Sequence, residues 1–291
     1  MKKLTILLPI QLLFLLTVVV FITTPTIALA AFVSSFEART IEAFAQVHQN
    51  ERPGETEATR YLGGVTPHHD LALDMIARFY ARIASAKVRR VWIFSPDHFQ
   101  RSRRWAAICS ADWKFTSRSL SSRTLLADGE ACDVLTGMSI VEANPELFAF
   151  EHGITLHIPL IAQAFPNATV VPIVLKPDIP DLALLMLRKK ILGLLNDGDI
   201  ILLSMDLSHY KTPEGMAAED IKTLKVLTEM TPRAAEKIDV DARRAAMLVL
   251  WLFKELGAQH AEVLEHCDSS DLLGFRVESG TSYATVVYVG K

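Results

Sequence analysis

The chain has 291 residues, of which 50% are apolar and 22% charged, and its formal net charge is −3. That length and apolar content support a sizeable core and exclude a disordered chain. The slightly acidic balance, with no long Lys/Arg run, excludes a nucleic-acid binder driven by bulk charge.

The first element is a leader. Residues 1–30 (MKKLTILLPIQLLFLLTVVVFITTPTIALA) start on Lys2 and Lys3, run apolar from Leu4 to Ile22 and end on Ala28-Leu29-Ala30. A basic start, an apolar stretch and a small-x-small end read as an export signal cut before Ala31. The alternative is an uncut membrane anchor over residues 4–22, since a span takes about 20 residues. The expected location is therefore periplasmic or extracellular, or membrane-anchored if the leader stays. Residues 31–58 read as a lead-in, and residues 59–291 as one domain.

Within that domain, Tyr61–Thr66 reads as a short strand. Asp70–Ala86 carries Leu73, Ile76, Tyr80 and Ile83 at helical spacing, with Asp70 available as a cap. Arg90–Ser95 (RVWIFS) reads as a buried strand. Residues 100–135, rich in Arg and Ser, read as a solvated loop. Residues 139–165 read as helical or irregular. Ala168–Leu175 and Asp199–Met205 read as strands, with a helix over Asp178–Leu195 between them. Helices near 213–229 and 241–257 follow, and strands over Ala261–His266 and Ser282–Val289 close the chain. The alternation predicts a single α/β domain with a central, mostly buried sheet flanked by helices on both faces. Cys109, Cys132 and Cys267 form no CxxC pair, which argues against a cysteine zinc site, and Cys267 is expected to pack in a strand.

In such sheets ligands gather at the carboxyl ends of strands. Three of these ends carry imidazoles: His68 and His69 in VTPHHD, His98 in FSPDHF and His209 in SMDLSHY. Imidazole is the commonest metal ligand and titrates near neutrality, so the pattern points to a metal pocket. His69 either faces that pocket or caps the helix after it. EHGITLH holds Glu151, His152 and His157. Two histidines five apart diverge by about 140° on a helix, so both cannot ligate one ion from a regular helix. One is expected to line the pocket and the other to pack. Neither a phosphate loop nor a dinucleotide fingerprint occurs. There is also no GxSxG elbow, although Ser204, Ser208 and Ser282 leave serine chemistry formally open.

VTPHHD, FSPDHF, EHGITLHIPL, VPIVLK, SMDLSHY and GTSYATVVY occur in the order and rough spacing of the MEMO family. Its prokaryotic members are called AmmeMemoRadiSam system protein B. The resemblance covers residues 60–289 and implies a fold like that of class III extradiol dioxygenases, with a metal pocket. It implies His68 and His98 as metal ligands. The third family ligand is a cysteine before a late helix. Here that segment reads KIDVDARRAAMLVLWLF and has none. Asp241 takes the place, with Asp239 as the alternative and a helix N-cap as the other role for Asp241.

Two imidazoles and a carboxylate form the facial triad of non-haem Fe(II) oxygenases, so Fe(II) is the expected cofactor, with Cu or Zn as alternatives. The family's D-x-x-H element falls on Asp206 and His209. There His209 would act as acid/base and Asp206 would orient it, with Glu151 and His152 lining the same pocket. The implied function is a dioxygenase-like oxidoreductase acting on a small molecule. The alternatives are a non-catalytic metal- or peptide-binding protein and a metal-dependent hydrolase. No nucleic-acid partner is expected, and the membrane enters only through residues 4–22.

Overall fold

The computed structural model describes residues 29–30, 59–85, 87–115 and 123–291. Apart from Leu29–Ala30, the expected leader and lead-in lie outside the described residues.

The strands in chain order are β1 (Leu29–Ala30), β2 (Tyr61–Thr66), β3 (Arg90–Pro96), β4 (Ala106–Ile108), β5 (Trp113–Phe115), β6 (Arg123–Leu125) and β7 (Val141–Ala143). They continue with β8 (Thr169–Leu175), β9 (Asp199–Ser204), β10 (His209–Lys211), β11 (His260–Asp268) and β12 (Gly280–Val289). Nine of them form one sheet in the order β10-β12-β2-β9-β3-β8-β4-β7, with β11 also paired to β12, while β1, β5 and β6 form a small separate sheet. The centre, β2-β9-β3-β8, is parallel. Strand β12 runs antiparallel to β2, and β4 antiparallel to β8. The result is a mixed α/β sheet.

The apolar runs of the central strands follow from burial on both faces. Successive side chains alternate across a strand, so a strand covered on both sides needs apolar residues at every position. Trp92 and Phe94 of β3 pack with Val171, Ile173, Ile201 and Leu203 on one face, under the helices Asp181–Leu192 and Arg243–Glu255. Val91 and Ile93 pack with Val170, Val174, Ile200 and Leu202 on the other, under Leu73–Ile83 and Ile158–Ala164. Among the described residues, no helix is long and apolar enough to cross a membrane.

Several helix ends differ from their expected places for local reasons. The segment from Asp70 opens as a 3-10 turn, Asp70–Ala72, before the helix Leu73–Ile83. His69, not Asp70, caps it: its Nδ1 accepts from the Leu71 N–H at 3.1 Å. The helix expected from Asp178 starts at Asp181, because Pro180 holds an extended backbone at the cap. The later helix starts at Arg243 behind Ala242, which offers no side-chain cap. The reading of residues 100–135 as a solvated loop is corrected. Ala106–Ile108 is a fully buried strand of the main sheet, and Gly129–Thr136 is a helix. Three residues are too few to show a period. Cys267 lies in β11, and all three cysteines are free.

Strand β2 fits only because it carries Gly63 and Gly64. Gly63 has φ +131°, and a Cβ there would sit 1.8 Å from the Ile201 carbonyl oxygen of neighbouring β9. Gly63→Ala is expected to lower stability by about 3 kcal/mol or more, through backbone strain together with overpacking. Urea unfolding at unchanged m-value reads that loss. A midpoint like that of the parent would show that β2 does not lie this close to β9.

Candidate metal centre

β2, β9 and β3 are neighbours and parallel, so their carboxyl ends open on the same edge of the sheet. Each delivers one part of a polar cluster. β2 leads through Pro67 to His68. β3 leads to Asp97 and His98. β9 ends on Ser204 and leads to Asp206. The fourth part, Asp241, comes from the turn before the Arg243–Glu255 helix.

His68 is 2% exposed and held on three sides. Its main-chain N–H donates to Asp206 Oδ1 at 3.0 Å, and its Nδ1 lies 2.9 Å from Ser204 Oγ. Its Nε2 lies 2.9 Å from Asp241 Oδ2 and 3.8 Å from Asp206 Oδ2. His98 is anchored in the same way. Glu151 takes its main-chain N–H at 3.2 Å and its Nδ1 at 2.6 Å, while its Nε2 lies 3.5 Å from Asp241 Oδ2. The two rings meet edge to face with centroids 4.6 Å apart. Both histidines thus have Nδ1 tied back to the protein and Nε2 turned to one carboxylate.

Glu151 reaches His98 because of a close turn. It is fully buried, and its Oε1 also accepts the Gly153 N–H, capping the short helix His152–Thr155. A Cβ on Gly153 would lie 2.0 Å from Ser95 Oγ, so glycine is what lets this turn sit on the end of β3. The turn also lays the His152 ring 4.1 Å from His98 and 5.2 Å from His68. His157 goes elsewhere. The helix breaks between Thr155 and Ile158, and His157 is buried below, between Tyr80 and Ser204.

The electrostatics follow from these contacts. Burial opposes a charged His98, but the hydrogen bonds and charges of Asp241 and Glu151 outweigh it and raise its pKa to about 10. Burial likewise opposes a charged His68, and Asp206 and Asp241 override it, so its pKa is also raised. Asp241 is pushed well below the usual carboxylate range: burial resists this, and the two imidazoles prevail. His152 goes the other way, to about 4, through burial and the nearness of His98 and His68. Near neutral pH it is an uncharged imidazole, half exposed, with a lone pair to offer. Asp206 is raised, chiefly by burial.

Ligand atoms within 4.8 Å of one another are offered by His68, His98 and His152, and by His68, Asp206 and Asp241. Neither group holds all of His68, His98 and Asp241, which are brought together instead by the approach of both Nε2 atoms to Asp241 Oδ2, at 2.9 and 3.5 Å. Asp239, the alternative to Asp241, instead pairs with Lys211 at 2.7 Å. Asp241 does not cap the helix that follows: its Oδ2 accepts the Asp206 N–H at 3.3 Å. Asp206 bonds His68 through its carboxylate. His209 instead turns its Nδ1–H to the Leu207 carbonyl at 2.7 Å. Sequence reasoning gave Tyr80 only a place on a helix face, left Ser204 open to serine chemistry, and left His152 and His157 as one to line the pocket and one to pack. Ser204 as the one polar residue ending an apolar strand was the available signal.

An expected result follows for Glu151. Glu151→Gln keeps the shape but weakens the acceptor that fixes His98, so metal affinity should fall about 10–100-fold. Competition against a chromophoric chelator measures this, and unchanged affinity would mean that His98 does not ligate.

The family model for Memo-like protein matches residues 30–287. A MEMO1 family protein of Ignicoccus hospitalis is 28% identical over 171 residues, covering 55% of this chain and 60% of that relative. A MEMO1 family protein of Pyrobaculum arsenaticum is 24% identical over 239 residues, covering 78% of this chain and 83% of that relative. One of Caldivirga maquilingensis is 24% identical over 205 residues, covering 67% and 71%.

Proposed function

The chain belongs to the Memo-like protein family, and from that membership and the converging imidazoles we propose that it binds a divalent metal ion through His68, His98 and Asp241. The observation that carries this reading is the direction of the donors. Both Nδ1 atoms are occupied by protein partners, and both Nε2 atoms face one carboxylate. The fit is supported by Asp241 Oδ1, which is buried with no hydrogen-bond partner. An orphaned carboxylate oxygen in a buried site is costly unless something cationic completes it. Two imidazoles and one carboxylate suit Fe(II), with Cu or Zn as the alternatives.

The reaction class we infer is dioxygenase-like oxidation of a small molecule. A bound Fe(II) ion would supply redox chemistry and open positions for O₂ and substrate. The chain's own groups supply orientation and proton handling. Glu151 and Ser204 hold the two imidazoles, and Asp206 fixes the His68 main chain. His152, uncharged and half exposed beside them, is placed to accept a proton from a hydroxyl entering the site. His209 keeps Nε2 for a second proton transfer once Leu207 has fixed Nδ1.

Anaerobic loading with Fe(II), followed by O₂ uptake with a panel of catechols, tests this reading. Uptake that needs both iron and catechol, and is lost in His98→Ala, is expected. Tight metal binding without turnover on the panel would overturn the dioxygenase-like reading in favour of a binding role.

We further propose export by residues 1–30. Cleavage before Ala31 would remove Leu29–Ala30 from the edge of the small sheet and leave the β5–β6 pair intact. Cell fractionation with N-terminal sequencing reads the outcome, and a full-length cytoplasmic product would refute it.

A further inference from the structure

Behind His68 lies a buried line of polar groups that the proposed chemistry does not use. Ser204 Oγ is 2.9 Å from His68 Nδ1 and 3.2 Å from His157 Nε2. His157 Nδ1 is 3.1 Å from the Tyr80 hydroxyl. Tyr80, His157 and Ser204 are each 0% exposed, and they come from three separate elements: the helix Leu73–Ile83, the break before Ile158–Ala164, and the end of β9. Buried polar groups in an apolar core are costly, and such an array persists only if every member is satisfied.

Counting hydrogens gives the array its meaning. A serine hydroxyl has one hydrogen, so at most one of the two nitrogens beside Ser204 accepts it, and for that hydrogen to be bonded within the line the other nitrogen donates. A neutral imidazole likewise has one N–H and one acceptor. Burial pushes His157 down to about 3, so it is uncharged and has a single N–H to place. Two arrangements then make all three bonds of the line: the first turns the Tyr80 hydrogen out of it, and the second uses every hydrogen. In the first, His68 Nδ1–H donates to Ser204, Ser204 donates to His157 Nε2, and His157 Nδ1–H donates to Tyr80. In the second every bond is reversed, and a neutral His68 then carries its hydrogen on Nε2. Only the first leaves His68 Nε2 free to ligate.

We propose that His157 is a positioning residue which, acting through Ser204, supports His68 in the tautomer that a metal at Nε2 selects. This rests on the reading of His68 as a ligand. Ser204 alone could not do it, because its own hydrogen needs an acceptor on the far side. His157 Nε2 is that acceptor, and Tyr80 takes the hydrogen that His157 must then carry on Nδ1.

The test uses the full chain labelled with ¹⁵N-histidine and loaded with zinc, which is diamagnetic. Long-range ¹H–¹⁵N spectra should show His68 protonated at Nδ1 and His157 protonated at Nδ1, with both hydrogens exchanging slowly. Ser204→Ala and His157→Phe should each weaken zinc binding about 10–100-fold. The double variant should be no weaker than either single one, because both break the same line. His157→Gln, whose amide oxygen can accept from Ser204, should recover most of the affinity. Tyr80→Phe, which removes one hydroxyl from an otherwise unchanged ring, guards against a folding defect and should give the same direction of change.

Failure of the parent chain to bind zinc would overturn the metal reading and this proposal with it. Zinc bound by the parent, with His157 protonated at Nε2 or with parental affinity in His157→Phe, would overturn the positioning role alone.

Discussion

Asp241→Ala is expected to abolish metal binding at this centre, lowering affinity by about 10³-fold or more, which corresponds to roughly 4 kcal/mol. The reason is geometric. Asp241 Oδ2 is the point that both His68 Nε2 and His98 Nε2 face, at 2.9 and 3.5 Å. Without it, the two imidazoles lose the one carboxylate oxygen that both Nε2 atoms face. Asp241→Asn sharpens the test, since it keeps the shape while removing the charge, and most of the loss should persist. Asp239→Ala is the control. Asp239 is part-exposed and pairs with Lys211, an interaction worth about 1 kcal/mol at most, so metal affinity should stay at the parental value. Equilibrium dialysis with metal analysis gives both numbers. Metal retained in Asp241→Ala but lost in Asp239→Ala would reverse the assignment.

The second large effect is on pH. In the metal-free chain Asp241, Asp206 and Glu151 keep protons on the histidines: the His98 pKa rises to about 10, and that of His68 is also raised. Ligation requires neutral imidazoles, so binding must release those protons. Apparent affinity should therefore climb with pH through the range between the ordinary histidine value near 6.5 and about 10. Each proton released is worth about tenfold per pH unit, so going from pH 7 to pH 9 should tighten binding about 100-fold or more. Calorimetry in buffers of different ionisation enthalpy counts the protons directly.

The same shift makes the stability of the metal-free chain depend on pH. A folded-state pKa raised above the unfolded value stabilises fully below that unfolded value. The contribution is lost as pH rises through the folded one. Metal-free protein should thus lose stability between about pH 6.5 and 10, and metal-loaded protein should not. Affinity independent of pH across that window would mean that the metal-free histidines are already neutral.

Much of the fold was legible because the informative segments are long and periodic. RVWIFS and DIILLSM are continuous apolar runs, and the structure makes each a central parallel strand buried on both faces. The helix over Leu73–Ile83 announced itself by its 3–4 spacing. What stayed hidden was short or non-local. Ala106–Ile108 has three residues and no period, yet it pairs with β8 and β7 in the core. Histidines at strand ends were readable because parallel strands bring their carboxyl ends together, which is why His68 and His98 could be set side by side before any geometry was known.

The rest of the centre depended on what folds over those ends. That Asp241 and not Asp239 meets the histidines depends on the turn before Arg243–Glu255, and the two carboxylates lie only two places apart in the chain. That Glu151 holds His98 depends on a turn that packs Gly153 tightly against Ser95. His157 could be read as a residue that packs, but its bond to Ser204 joins positions 47 apart in sequence, and no local pattern encodes that.

The most direct measurement is an anomalous diffraction experiment on crystals grown with Fe(II) under anaerobic conditions. One anomalous peak is expected, bounded by His68 Nε2, His98 Nε2 and the Asp241 carboxylate, with distances to all three in the range of coordination bonds. A peak elsewhere, for instance at Cys267, or no peak in a fully ordered centre, would contradict it.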